Sequence, residues 1–449
     1  MESRWDGGRA RVEAWQLLVH VCRRWRNLVF QSPRRLNLRL YCTAETPAKD
    51  TLDIWPAFPL IVWGDIKPSS GTDNITAALE QRNRVSQVGL FFLARWQLEN
   101  VLATMQVPFP ELEGLQLHSA DETPLVIPDS FLGGSVPHLQ NFFMSGISFP
   151  GLPKLLLTAS RLVTLLLTDI PHSGYISPEA FIALISVLSS LEDLFLSFRS
   201  PRSHPGGRLP SSQPPKHTIL PALHIFRFKG VTEYLEELVI RIDTPQLKQM
   251  DIAFFNQIDF ITPGLAQFIN CTPTLRALDE AHVHVVVPDI ASMRFRYRAS
   301  GFRFENLSIK ISCSEPDRQL SSIEQVCNSL HSLSTVEHLY IEDQAGYDPL
   351  LFWKDYPIEN TLWLQLLLPF TAMKNLYLSV GLAPRIAATL KELVTSSRVT
   401  EILPSLQNVF VEGLNPSGPL RENIEQFVAA RRLSGNPIAI SDWDGKRRR

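Results

Sequence analysis

One pattern limits what this chain can fold into: a run of apolar positions spaced L-x-x-L-x-L. It stands clearly at Leu112, Leu115 and Leu117, and again at Leu139, Phe142 and Met144. Further copies are Val85/Val88/Leu90, Leu162/Leu165/Leu167, Leu191/Leu194/Leu196, Leu223/Phe226/Phe228 and Leu247/Met250/Ile252. Phe304/Leu307/Ile309, Val336/Leu339/Ile341, Met373/Leu376/Leu378 and Leu406/Val409/Val411 complete the series. A weaker copy at Leu275 and Leu278 has Glu280 in its third place. The copies recur at 23–37 residues, too regularly for chance even in a Leu-rich chain. The last two apolar residues of each copy lie two apart, so on a strand both point to one face. A single unit cannot cover that face; stacked units can.

Helical segments lie between the expected strands. Ile75, Ala78 and Leu79 share a face behind a cap at Asn74, and Leu98, Val101, Leu102 and Met105 share another. Ser177-Pro178 and Thr262-Pro263 read as helix starts, a side-chain oxygen at the cap followed by Pro where no N–H is needed. Alternating strands and helices at this period predict an α/β solenoid: strands pair in parallel on a concave face, helices pack behind, and the stack curves into a horseshoe. Insertions are expected at 199–218, which is rich in Pro, and at 343–360. The expected organisation is 1–32 helical, 33–73 N-terminal strands and cap, 74–435 solenoid and 436–449 a C-terminal tail.

Outward strand positions should line the concave surface. Phe143, Leu166 and Phe195 come from successive units and should be neighbours; Tyr340, Tyr377 and Phe410 occupy the same place in later ones. These six are the candidate partner-binding residues, since contiguous exposed apolar side chains mark binding surfaces.

Chemistry is harder to find. There is no Gly-x-Ser-x-Gly elbow, no phosphate-cradling Gly-rich loop and no His-Glu-x-x-His. His282 and His284 share one face of a strand, but no carboxylate or Cys at ligand spacing accompanies them, so neither a metal nor another cofactor is expected. Five scattered Cys without a C-x-x-C predict free thiols rather than a zinc site or disulfides. Net charge is −2, although the first fifty residues carry +5. The basic cluster Arg23, Arg24, Arg26, Arg34 and Arg35 reads as a solvated or protein-facing surface, and no nucleic-acid partner is expected. No signal core and no 18-residue apolar run occur, so no membrane is implied and a cytoplasmic or nuclear protein is expected. The tail Lys446–Arg449 reads as a solvated end or a weak nuclear signal.

Residues 14–30 predict one helix, with Trp15, Leu18, Cys22, Trp25 and Val29 on its apolar stripe. The run Leu17-Leu18-x-x-Val21-Cys22-Arg23-Arg24-Trp25-Arg26-x-Leu28-Val29, then Ser32-Pro33-Arg34-Arg35-Leu36, resembles the closing helix of an F-box. Its continuation into Leu-rich repeats is similar to fungal F-box/leucine-rich-repeat proteins. That resemblance implies a substrate-recognition subunit of an SCF-type cullin–RING ubiquitin ligase, binding the ligase's adaptor subunit through the F-box and an unknown target protein through the repeats. It carries Leu18, Val21, Cys22 and Trp25 over as the F-box core and implies no catalysis by the chain itself. The Leu-Pro-x-Glu-type opening and additional helix of an F-box have no match in residues 1–15, so the F-box is expected to be truncated at its N-terminal part. A stand-alone repeat scaffold without a ligase role is the alternative.

Overall fold

In the computed structural model, the residues described are 14–32, 38–66, 71–121, 125–201, 217–255, 260, 262–276, 278–286, 290–297, 305–313, 315–343, 359–396, 398–414 and 418–444. The fold is α/β, and its strands pair mostly in parallel. The chain divides into two compact units. One comprises Met1–Pro210 with Leu220–Leu223, the other Ser211–Ile219 with His224–Arg449.

In the first unit, seven strands follow one another in chain order: β1 (Leu40–Cys42), β2 (Leu60–Asp65), β3 (Val85–Leu93), β4 (Gly114–Ser119), β5 (Asn141–Ser145), β6 (Thr164–Ile170) and β7 (Asp193–Phe198). Every pairing is parallel, so each strand returns by a crossover carrying helix or turn. The register explains the repeat. Val88, Leu115, Phe142, Leu165 and Leu194 stand side by side in one row, and Leu90, Leu117, Met144, Leu167 and Leu196 in the next. All ten are buried. Each contributes roughly 2 kcal/mol of transfer free energy, so these rows hold the unit together.

The helices fill the other side. Helix 95–104 buries Leu98, Val101 and Leu102, and helix 178–185 buries Phe181, Leu184 and Ile185. The Ser177 hydroxyl accepts from the Ala180 N–H at 3.3 Å, as its sequence context predicts. Asn74 is not a cap: Thr72 precedes helix 73–79, and the Asn74 amide instead donates to the Ala44 carbonyl at 2.7 Å.

Residues 14–30 form two helices, Ala14–Val21 and Arg23–Phe30, not one. Cys22 between them has extended backbone (φ −164°, ψ 168°), so the single stripe expected across this stretch is broken: in the second helix Val29 packs inward while Trp25 is exposed. Trp15, Val19 and Val29 pack with Leu38 and Phe58, and Leu18 lies partly buried against them. Val21, Cys22 and Trp25, expected in the core, are exposed. Leu36, Arg34 and Arg35 lie outside the described residues.

The second unit contains β8 (Thr218–Ile219), β9 (Ile225–Gly230), β10 (Ile242–Asp243), β11 (Gln249–Phe254), β12 (Glu280–Val286), β13 (Ile290–Arg296), β14 (Leu307–Ser312), β15 (His338–Asp343), β16 (Asn375–Leu378), β17 (Asn408–Glu412) and β18 (Ala439–Trp443). Strands β8 and β10 form a separate small pair. The main order is β9-β11-β14-β13-β12-β15-β16-β17-β18. Chain order is therefore interrupted: β12, β13 and β14 form an antiparallel meander set into an otherwise parallel array. The weak copy at Leu275/Leu278/Glu280 is out of frame by three residues. Glu280 faces away from the core, and the buried set is Leu278, Ala281 and Val283. Phe226, Met250, Leu307, Phe295, Ala281, Leu339, Leu376 and Val409 then form one continuous buried row.

Helix 263–271 follows Thr262 and Pro263 as expected, but Thr262 does not cap it. The Glu236 carboxylate does so from a neighbouring helix, accepting from the N–H groups of Gly264 at 2.7 Å and Leu265 at 2.8 Å. Residues 436–449, expected as a tail, include β18, which pairs in parallel with β17. Lys446–Arg449 and most of the two expected insertions lie outside the described residues. All five cysteines are free.

Candidate functional site

Side chains on the strand face opposite the helices are aligned by the same register as the core. In the first unit, Trp63, Gly89, Gln116, Phe143, Leu166 and Phe195 occupy one row across β2 to β7. Phe143, Leu166 and Phe195 are thus immediate neighbours, each half-buried. Trp63 extends the row because position 89 is Gly: a Cβ there would sit 2.3 Å from the indole, so only a residue without one lets the ring lie over β3.

Next to this row the β3–β4 register slips between Leu90 and Leu93. Phe92 adopts φ 57° there, unusual for a residue with a Cβ, and is 53% exposed. Its ring meets His118 edge-on at 4.9 Å, while Phe91 packs against Trp63 at 5.0 Å. Burial holds His118 below the ordinary histidine range, with Asp169 acting the other way. Sequence periodicity missed Phe92 and Trp63, because a bulge and a glycine gap lie outside an L-x-x-L-x-L template.

The corresponding row of the second unit reads Arg227, Asp251, Ser308, Arg294, His282, Tyr340, Tyr377, Phe410 and Ser441. Four of its rings form a column. His282 stacks on Tyr340 at 4.3 Å, Tyr340 on Tyr377 at 4.1 Å, and Tyr377 on Phe410 at 4.6 Å, all within 8° of parallel. Trp443 from β18 leans over Tyr340 and Tyr377. Tyr340, expected on the exposed face, is therefore 1% exposed: its neighbours cover both ring faces and Trp443 covers its edge. Tyr377 and Phe410 remain half-buried.

At the histidine end of the column is a group that the sequence did not bring together. His282 and His284 on β12 face Glu342 on β15. One Glu342 carboxylate oxygen, Oε2, lies 3.3 Å from His282 Nδ1 and 3.3 Å from His284 Nε2. The other nitrogen of His282, Nε2, lies 2.9 Å from Glu280 Oε1. Arg294 on β13 donates to His284 Nε2 and, through Nη1, to Glu305 at 2.9 Å. Burial opposes charge on His282, yet its hydrogen bonds to Glu280 and Glu342 raise its pKa above the ordinary value. Burial, reinforced by Arg294, pushes His284 down to about 4. Burial also opposes the charge of Glu342, but the His282 hydrogen bond and the nearby positive groups hold its pKa low. His282, His284 and Glu342 are the candidate metal-holding trio among the described residues.

The N-terminal helix pair presents a third feature. Leu17, Val21, Trp25 and Leu28 are all exposed. No helix of the described residues is long and apolar enough to cross a membrane. No family model matches the chain, and no curated protein matches it.

Proposed function

We propose that this chain is a protein-interaction receptor built of leucine-rich-repeat-like units, serving as the substrate-recognition subunit of an SCF-type ubiquitin ligase. The carrying observation is the row Phe143, Leu166 and Phe195, adjacent on three parallel strands and half-buried, with Trp63 further along the same row and Phe92 exposed at the bulge of β3. Side chains so placed lose little conformational freedom on binding, which favours them as anchors for a protein target.

The ligase role is supported by the resemblance of residues 17–29 to the closing part of an F-box and by the exposure of Leu17, Val21, Trp25 and Leu28. An apolar set of this kind on two short helices suits the hydrophobic groove of an adaptor subunit. In this role the chain contributes positioning: holding a target near a ubiquitin-loaded enzyme raises the effective concentration of its lysines.

Target capture in cells tests the reading. Proximity labelling should identify partners that are lost in the variant Phe143→Asp with Phe195→Asp while circular dichroism stays unchanged. An unaltered set of partners overturns the assignment of this face. A face that captures partners without any adaptor in the complex leaves the chain as a stand-alone scaffold.

A further inference from the structure

Beyond protein binding, we infer that His282, His284 and Glu342 form a binding site for a divalent transition-metal cation of the zinc class. The argument starts from distances. Zinc bonds to imidazole nitrogen and carboxylate oxygen at about 2.0–2.2 Å, so two ligand atoms of one tetrahedron stand about 3.3 Å apart. Glu342 Oε2 lies 3.3 Å from His282 Nδ1 and 3.3 Å from His284 Nε2. Two of the three edges thus have the length a metal requires, and the three atoms lie within 4.8 Å of one another. The two histidine rings lie parallel with centroids 6.1 Å apart, so closing the third edge requires His284, which is not part of the stack on Tyr340, to turn its ring about the Cβ–Cγ bond.

The surroundings suit the same ligand. A metal-binding histidine ordinarily gives its second nitrogen to a carboxylate, which fixes the ring and strengthens the ligand. Glu280 Oε1 is 2.9 Å from His282 Nε2, the nitrogen not facing Glu342, and Glu280 is itself buried. Position 282 is held further by stacking on Tyr340. The donor set of two imidazoles and one carboxylate favours zinc and its neighbours over magnesium or calcium. Three protein donors leave a fourth position for water or for a donor from a bound partner, and the side chains of all three remain 12–24% accessible.

Arg294 sets the condition. Its guanidinium donates to His284 Nε2, the lone pair a metal would use. The metal and Arg294 are alternatives at that nitrogen, and Glu305 provides Arg294 with a second acceptor when the metal is bound. This competition gives the inference a test of opposite signs.

The experiment uses the full chain, stripped with chelator, titrated with Zn2+ by calorimetry and with Co2+ by visible absorption. The expected result is one equivalent bound, with the visible bands of tetrahedral cobalt. His284→Ala or Glu342→Ala should abolish those bands, and Glu280→Gln should weaken binding about 10–100-fold. Arg294→Leu keeps every ligand and should tighten binding. No stoichiometric uptake by the wild-type chain overturns the site. So does uptake unchanged in His284→Ala and Glu342→Ala, or weakened rather than tightened in Arg294→Leu.

Discussion

Tyr340 and Tyr377 lie face to face, with ring centroids 4.1 Å apart and planes 7° from parallel, although 37 residues separate them in the chain. The register of β15 and β16 places them opposite each other, and the parallel pairing repeats the arrangement with His282 on one side and Phe410 on the other. Removing an inner ring should cost more than removing an end. Tyr340→Ala should lower stability by about 3–5 kcal/mol, as for other buried aromatics. Tyr340→Phe keeps the stack and should lose much less. Denaturation midpoints check this; equal losses in the two variants would show that the column contributes nothing.

Gly89 makes room for Trp63. Ala at this position places its Cβ 2.3 Å from two atoms of the indole, so Gly89→Ala must lift the ring away from β3. Overpacking of this kind costs about 1–3 kcal/mol. The loss should shrink in the Trp63→Leu background, where the clash is absent, and a double-mutant cycle measures the difference. Additive losses would contradict the contact.

Glu236 substitutes for a local helix cap. Its carboxylate accepts the first free N–H groups of helix 263–271. Glu236→Ala leaves them without that acceptor and should cost about 1–2 kcal/mol, the range for lost caps. Hydrogen exchange at Gly264 and Leu265 should speed up in the variant. Unchanged exchange there would remove the capping role.

Thiol reactivity should divide by burial. Cys22 and Cys271 are exposed, whereas Cys42, Cys313 and Cys327 are buried. Burial, partly offset by Arg84, pushes the Cys42 thiol up to about 11, and burial raises that of Cys327 further. A raised thiol pKa lowers the reactive thiolate fraction and burial blocks access, so Cys42 should react with iodoacetamide far more slowly than the exposed cysteines until the protein unfolds. Mass spectrometry after labelling at about pH 8 and about pH 10 should find Cys22 and Cys271 modified at both. Ready alkylation of Cys42 at the lower pH would contradict its placement.

The buried rows were legible because each needs only a local signature: two apolar residues two apart, repeated along the chain. Val88, Leu115, Phe142, Leu165 and Leu194 fall where that spacing puts them. The meander of β12, β13 and β14 was not legible with the same template. Ala291, Met293 and Phe295 alternate clearly, but they carry no leading Leu and return antiparallel. The N-terminal stripe misled because helical periodicity does not reveal that Cys22 is extended. At the candidate sites, Phe143, Leu166 and Phe195 could be placed together because successive units carry them. The meeting of His282 and His284 with Glu342 depends on pairing between β12 and β15, about sixty residues apart, and no local spacing encodes it.

Direct binding to the purified adaptor subunit of an SCF ligase tests the proposed role most sharply. Isothermal titration with the full chain should give a one-to-one complex, weakened at least about tenfold by Val21→Asp or Trp25→Asp, as expected for apolar anchors at an interface. Failure of the folded wild-type chain to bind, or binding indifferent to both substitutions, would contradict the account.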